Sequence, residues 1–166
     1  MPDLLTHVLV AYTLATLLSI RCEWLTPALV TAVMLGAVVP DLTKIALVVP
    51  GQVVEDALGV PFDWSAIHAT GGALVAVTAG ALLTDSDHRR RVFVLLALGA
   101  ASHLLLDALL HFPSGYSYPV LWPLTNYHPP ALGLYLSSNR WPALVAGVLA
   151  VTAHYLQYAV FAPRPE

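Results

Sequence analysis

Charge is what this chain has least of. Only 10% of its 166 residues are Asp, Glu, Lys or Arg, against about 25% in a typical soluble domain. The few charges cluster, which leaves long runs almost free of them and argues against a water-soluble globule. Cysteine is reduced to Cys22. That excludes an internal disulfide and a cysteine-based zinc cluster, and the thiol reads as inert. No basic stripe is present and the formal net charge is −3, so no nucleic-acid partner is expected. No basic region precedes the first apolar run, so a cleaved signal peptide is not expected and residues 4–20 read as a retained helix. No repeat occurs at the periods that mark solenoids.

What is present is apolar. The chain is 58% hydrophobic, with a mean hydropathy of +0.74. Five apolar segments can be marked, at about 4–20, 27–49, 65–83, 92–111 and 141–161. Each approaches the roughly 20 residues a membrane helix needs. The predicted fold is therefore all-α: a polytopic membrane bundle of about five transmembrane helices, with 1–166 forming a single membrane-embedded domain. Pro27 suits a first helical turn. Pro40 interrupts the second run, and a kink or break is expected there. The third segment carries Gly71, Gly72, Ala73, Ala76, Ala79, Gly80 and Ala81, a small-residue surface that lets helices approach closely. Residues 50–65 read as a polar, acidic connection. Residues 112–140 are broken by proline and glycine and are rich in Tyr and Trp. They read as an ordered aromatic loop over one membrane face.

Within this apolar background, Ser102-His103-Leu104-Leu105-Leu106-Asp107 stands out. Its histidine and aspartate are four residues apart, which puts them on one face of a helix. Ionisable groups in apolar surroundings are costly unless satisfied, and a metal ion satisfies both. Alternation of five spans places further candidates at the same end of the bundle. His7 opens the first span, Asp41 ends the second, His68 opens the third, and His103 and Asp107 end the fourth. Three histidines and two aspartates make a nitrogen and oxygen set for one or two divalent metals. Zinc is the expected ion, and manganese and iron are the other choices. Asp107 or Asp41 would bridge a two-metal site, which suits in-line displacement at phosphorus. Water activated by metal is the expected nucleophile, with Asp41 the candidate general base and Asp107 the second candidate catalytic carboxylate. A lipid or lipid-linked phosphoester is the expected substrate.

Each residue also has a plainer reading. His7 and His68 could be interfacial histidines, Asp41 a cap, and His103 with Asp107 a buried hydrogen-bonded pair. His88 reads as a solvated loop residue and His154 as a helix-packing residue. His111 and His128 are on the ligand side as further candidates. Lys44 and Arg140 read as surface or snorkelling charges. Positive charge is uneven: Arg21, Arg89, Arg90, Arg91 and Arg164 fall on one face, Lys44 and Arg140 on the other. The positive-inside rule puts the ligand face outside the cytoplasmic (inner) membrane and the C-terminus in the cytoplasm.

Thr6-His7, Pro40-Asp41 after a small apolar helix, His68, and Ser102–Asp107 followed by Leu121-Trp122-Pro123 together resemble a known family. It is that of the inner-membrane-associated metal-dependent hydrolases of the LexA-binding type. The resemblance implies a membrane hydrolase. Many members open the third helix with His-Arg and carry a second histidine five residues on. Here Asp63 and Trp64 stand first and only His68 matches. The order His, Asp, His, His-x-x-x-Asp is also similar to the zinc-dependent phospholipase C and single-strand nuclease superfamily. That likeness implies one metal on Asp41, His68, His103 and Asp107, with His7 helping to hold a second. The superfamily's final His-x-x-x-Glu has no counterpart here. Two other functions stay open on sequence: a non-catalytic metal-binding scaffold, and a small metal or proton transporter. The latter is disfavoured because the spans are nearly apolar away from the cluster.

Overall fold

The computed structural model describes residues 4–161, whose regular elements are all helical, with no strand among the described residues. Six α-helices follow in order: α1 Leu4–Ser19, α2 Pro27–Val38, α3 Gly51–Leu58, α4 Thr70–Leu82, α5 Ser86–Ala108 and α6 Trp141–Phe161. Two 3₁₀ segments, Val39–Leu47 and Trp64–His68, precede α3 and α4. The 3₁₀ run after α2 starts where Pro40 removes a backbone donor.

Three stretches are long and apolar enough to cross a membrane: Pro27–Leu47, Ser86–Ala108 and Trp141–Phe161. The expected five spans are not confirmed. α1 has 16 residues and α4 has 13, about 24 and 20 Å of helix, short of a hydrocarbon core about 30 Å thick. Large apolar side chains nevertheless cover the outside. Leu144 and Val151 on α6 are each 71% exposed, a surface suited to lipid rather than water.

Other boundaries also shift. The fourth segment starts at Ser86 rather than 92, because the charged turn with Arg89–Arg91 is already helical. The connection 50–65 is not irregular throughout. It holds α3, in which Val53, Val54, Ala57 and Leu58 share one face and Gln52, Glu55 and Asp56 the other. Gly59 ends α3 at φ 68°, a conformation glycine adopts without strain.

The tightest seam joins α2 to α5. A Cβ on Gly99 would fall 2.0 Å from the Val33 carbonyl oxygen, and one on Gly36 would fall 2.1 Å from the Leu96 carbonyl oxygen. The two backbones therefore touch, as small residues allow in membrane bundles. α1 packs against α2 through small buried residues such as Ala11 and Ala15, and it also runs against α6.

Loop 112–140 is ordered by two helix ends. The carbonyls at the C-terminal end of α5 would lack partners. Leu106 accepts from the Tyr135 hydroxyl at 2.9 Å, Ala108 from the Leu132 N–H at 3.2 Å and Leu109 from the Leu134 N–H at 2.9 Å. At the start of α4, the Thr70 N–H donates to Val120 and the Gly71 N–H to Trp122, at 2.8 and 2.9 Å. The loop is thus a cap for α4 and α5 at the end of the bundle that carries the histidines.

Candidate metal centre

The break at Pro40 prepares the site. In a 3₁₀ pattern each carbonyl accepts from the residue three positions on. For Ala37 that residue is Pro40, which has no N–H. The Ala37 carbonyl is instead taken by His103, whose Nδ1 lies 2.7 Å away. A carbonyl only accepts, so Nδ1 carries the proton and Nε2 keeps its lone pair. Close packing at Gly36 and Gly99 lets His103 reach this carbonyl. His68 is held in the same way, with Nδ1 3.3 Å from the Pro40 carbonyl. A backbone carbonyl behind each imidazole is the usual support of a metal-ligating histidine.

All five expected residues meet at this point and all are buried: His7, Asp41, His68, His103 and Asp107. Asp107 is central. Its Oδ1 lies 3.4 Å from His7 Nε2, and its Oδ2 lies 2.7 Å from His68 Nε2 and 3.5 Å from His103 Nε2. The His7 and His103 rings stack with centroids 3.7 Å apart, and His68 meets His103 edge-on at 5.2 Å. None of these approaches has hydrogen-bond geometry. Both His7 nitrogens, Nε2 of His68 and His103, both Asp107 oxygens and Asp41 Oδ1 are buried without a hydrogen-bond partner. So many converging orphan atoms would be expensive in a dry interior. A cation shared among their lone pairs removes that cost.

The spacing fits such an ion. Donors about 2.0–2.1 Å from a tetrahedral zinc stand roughly 3.3 Å apart. The 3.4 and 3.5 Å separations from Asp107 match that edge, and the 2.7 Å one is shorter. Two triads have ligand atoms within 4.8 Å of one another: His7, His103 and Asp107, and Asp41, His68 and His103. They share His103, which has one free nitrogen, so His103 can serve an ion in only one triad at a time.

The other expectations divide. Lys44, expected to be a surface charge, pairs with Asp41 Oδ2 at 2.7 Å, with its side chain about half exposed. It therefore competes with metal for one Asp41 oxygen. With the lysine half exposed to solvent, the pair contributes about 0–1 kcal/mol. Lys44→Gln is accordingly expected to tighten metal binding by no more than about fivefold, read by competition with a chromophoric chelator. Asp63 does not take the place of a ligand. It caps the 3₁₀ segment, accepting from the Ser65 N–H at 2.8 Å and from the Ser65 hydroxyl. Those two bonds, the hydroxyl's first, hold its carboxyl below the usual range. His128 Nδ1 donates to the Ser117 carbonyl at 2.9 Å and ties the loop together. Neither His128 nor His111 belongs to either triad. His88 is exposed, in the first turn of α5 rather than in a loop. His154 joins α6 to α1 through the Tyr12 hydroxyl at 2.9 Å, as a packing residue should.

Tyr118 was not singled out from sequence as a site residue. Its ring meets His68 edge-on at 4.7 Å and closes the loop side of the cluster. Burial, then the charges of Asp107 and Asp41, push its hydroxyl above the usual tyrosine range. Tyr135, which holds the loop to α5, is pushed up to about 12 by burial and then by Asp107. Both stay neutral at any physiological pH. The aromatic composition of 112–140 was the available signal, but nothing in it marks Tyr118 above its neighbours.

Apolar helices gathered around one buried group of imidazoles and carboxylates define a helical membrane protein with a candidate metal centre. More particularly, the chain belongs to the YdjM inner membrane protein family, whose model matches residues 1–163. No curated protein and no solved structure matches the chain. The membrane part of the expected resemblance is thereby met. Nothing in these comparisons relates the chain to the zinc-dependent phospholipase C and nuclease superfamily.

Proposed function

We propose that the protein is a membrane-embedded, metal-dependent hydrolase acting on a phosphoester in or near the lipid headgroup layer. The observation that carries the reading is the convergence of orphaned lone pairs from His7, Asp41, His68, His103 and Asp107. His7, His103 and Asp107 would hold one ion, zinc by donor chemistry, with manganese or iron the alternatives. His68 and Asp41 would complete that shell or begin a second. A divalent ion supplies Lewis acidity and an activated water. Asp41, with one oxygen toward the cluster and the other on Lys44, is the group placed to take a proton. Asp107 touches three imidazoles and is better suited to holding metal than to proton transfer.

In this reading α1 and α4 enter the bilayer beside the three long helices. Arg89–Arg91 open α5 and the cluster lies near its far end. The positive-inside rule then turns the cluster away from the cytoplasm.

A non-catalytic metal scaffold is the second reading. It is favoured by the burial of His7 and His103, both 0% exposed, which leaves little of the cluster open to a substrate. Elemental analysis of gently purified protein tests the metal, and a phosphodiesterase screen on the same samples separates the readings. Near-stoichiometric zinc or manganese with turnover supports the hydrolase. Metal without turnover favours the scaffold, and metal-free protein sinks both.

A further inference from the structure

Beside the cluster, on the outer side of the Trp64–His68 segment, runs a groove of about 640 Å³. Val54 of α3, Phe62, Trp64, Ile67, Val75 of α4 and Trp122 of the loop form its walls. From this we infer that the groove holds one fatty-acyl chain of a membrane phospholipid. The inference rests on the hydrolase reading only for its consequence, that the headgroup is brought to the cluster.

The lining selects the occupant. It is almost wholly carbon, and its one charged side chain, Asp63, is already satisfied by Ser65. A polar ligand would find little to pair with there, whereas a hydrocarbon chain needs no partner. The size falls within the roughly 300–1,000 Å³ of small-molecule sites. The position favours lipid over a water-borne guest. Val75 at the rim is 70% exposed on an apolar helix, so the groove opens sideways toward the bilayer. α3, the opposite wall, is amphipathic with Val53 and Leu58 exposed, as in helices that lie in the membrane interface. Trp64 and Trp122 are among its lining residues, and tryptophan favours the interface level.

The groove also leads toward the cluster. It shares Asp63, Ala66 and Trp122 with a smaller depression of about 180 Å³ that extends to Ala69 and Pro119. Ala69 follows the ligand candidate His68, and Pro119 follows Tyr118, which lies against the His68 ring. Neighbouring residues are about 3.8 Å apart along the chain. A chain in the groove would leave its headgroup near the backbone at Ala69 and Pro119, one residue from His68 and Tyr118.

The test uses full-length protein in vesicles of phosphatidylethanolamine and phosphatidylglycerol. These are doped with a phosphatidylcholine carrying a diazirine in one acyl chain. After irradiation, label should concentrate on the Phe62–Ala76 and Trp122 peptides over the more exposed Leu144–Val151 surface. Enrichment of roughly tenfold is expected, the preference that about 1.4 kcal/mol confers. Ala76→Phe, on the groove side of α4, should remove the enrichment. Val54→Trp, on α3, is a second block should the first disturb folding. A wild-type melting temperature in detergent shows that each variant is intact. Uniform labelling of groove and α6 overturns the inference, as does enrichment that survives both substitutions. Metal measured on the same samples separates the two proposals. Metal-free wild type with a labelled groove sinks the hydrolase alone. Metal-loaded protein with uniform labelling sinks the lipid site alone.

Discussion

Asp107→Asn is expected to strip the protein of its metal, and His103→Ala to do the same. Among the described residues, Asp107 lies within 3.5 Å of the facing nitrogens of all three histidines. The amide keeps its volume but loses the charge that a divalent ion needs. His103 belongs to both triads, so its removal breaks either arrangement. It also leaves the buried Ala37 carbonyl without its partner, which costs about 1–3 kcal/mol of stability. Loss of a supporting group alone weakens metal sites by about 10–100-fold, so loss of either ligand should exceed about 100-fold. Chelator competition and elemental analysis read the outcome. His88→Ala and His154→Ala, both outside the triads, should keep wild-type metal. Affinity should also fall as pH falls, because each imidazole must lose its proton before it can ligate. Asp107→Asn with an unchanged metal content would falsify the centre.

The parts of this site that could be read in the chain are those set by local geometry. His103 and Asp107 share a helix face by spacing alone. Alternation of five apolar runs predicts that His7, Asp41 and His68 join them; the structure gathers these residues, while five spans are not confirmed. The unread parts depend on neighbours distant in sequence. Pro40 signalled a break, but not that the carbonyl it leaves unpaired would receive His103, 66 residues away. Lys44, three residues after Asp41, reads from sequence as a surface or snorkelling charge, and its pairing with Asp41 depends on the 3₁₀ turn that the sequence does not specify. α3 was missed because Gln52, Glu55 and Asp56 make a short segment look like a loop. Its signal was the pairing of Val53-Val54 with Ala57-Leu58, ended by Gly59. Asp63 looked like a substituted ligand. The 3₁₀ turn that points it at Ser65 could not be foreseen from identity alone.

Gly99→Ala is expected to be the most damaging single methyl addition to the structure. The new Cβ would lie 2.0 Å from the Val33 carbonyl oxygen and 2.6 Å from the Ala37 nitrogen. Both are backbone atoms of α2, so no rotamer change relieves the clash and the two helices must separate. Overpacking usually costs about 1–3 kcal/mol, and a clash with backbone on the main seam should reach or pass the upper figure. The effect should not stop at stability. Moving α2 away from α5 lengthens the 2.7 Å contact between His103 Nδ1 and the Ala37 carbonyl, which fixes the imidazole for its role in the cluster. Loss of such a support costs about 10–100-fold in metal affinity. Gly147→Ala is the matched control, because a Cβ there meets nothing within 4 Å. In mid-helix it should stabilise by about 1 kcal/mol. Thermal unfolding in detergent, followed by metal titration of whatever remains folded, checks both substitutions. A Gly99→Ala protein that melts and binds metal like wild type would show that α2 and α5 do not meet backbone to backbone. The geometry that aims His103 would then have to come from elsewhere.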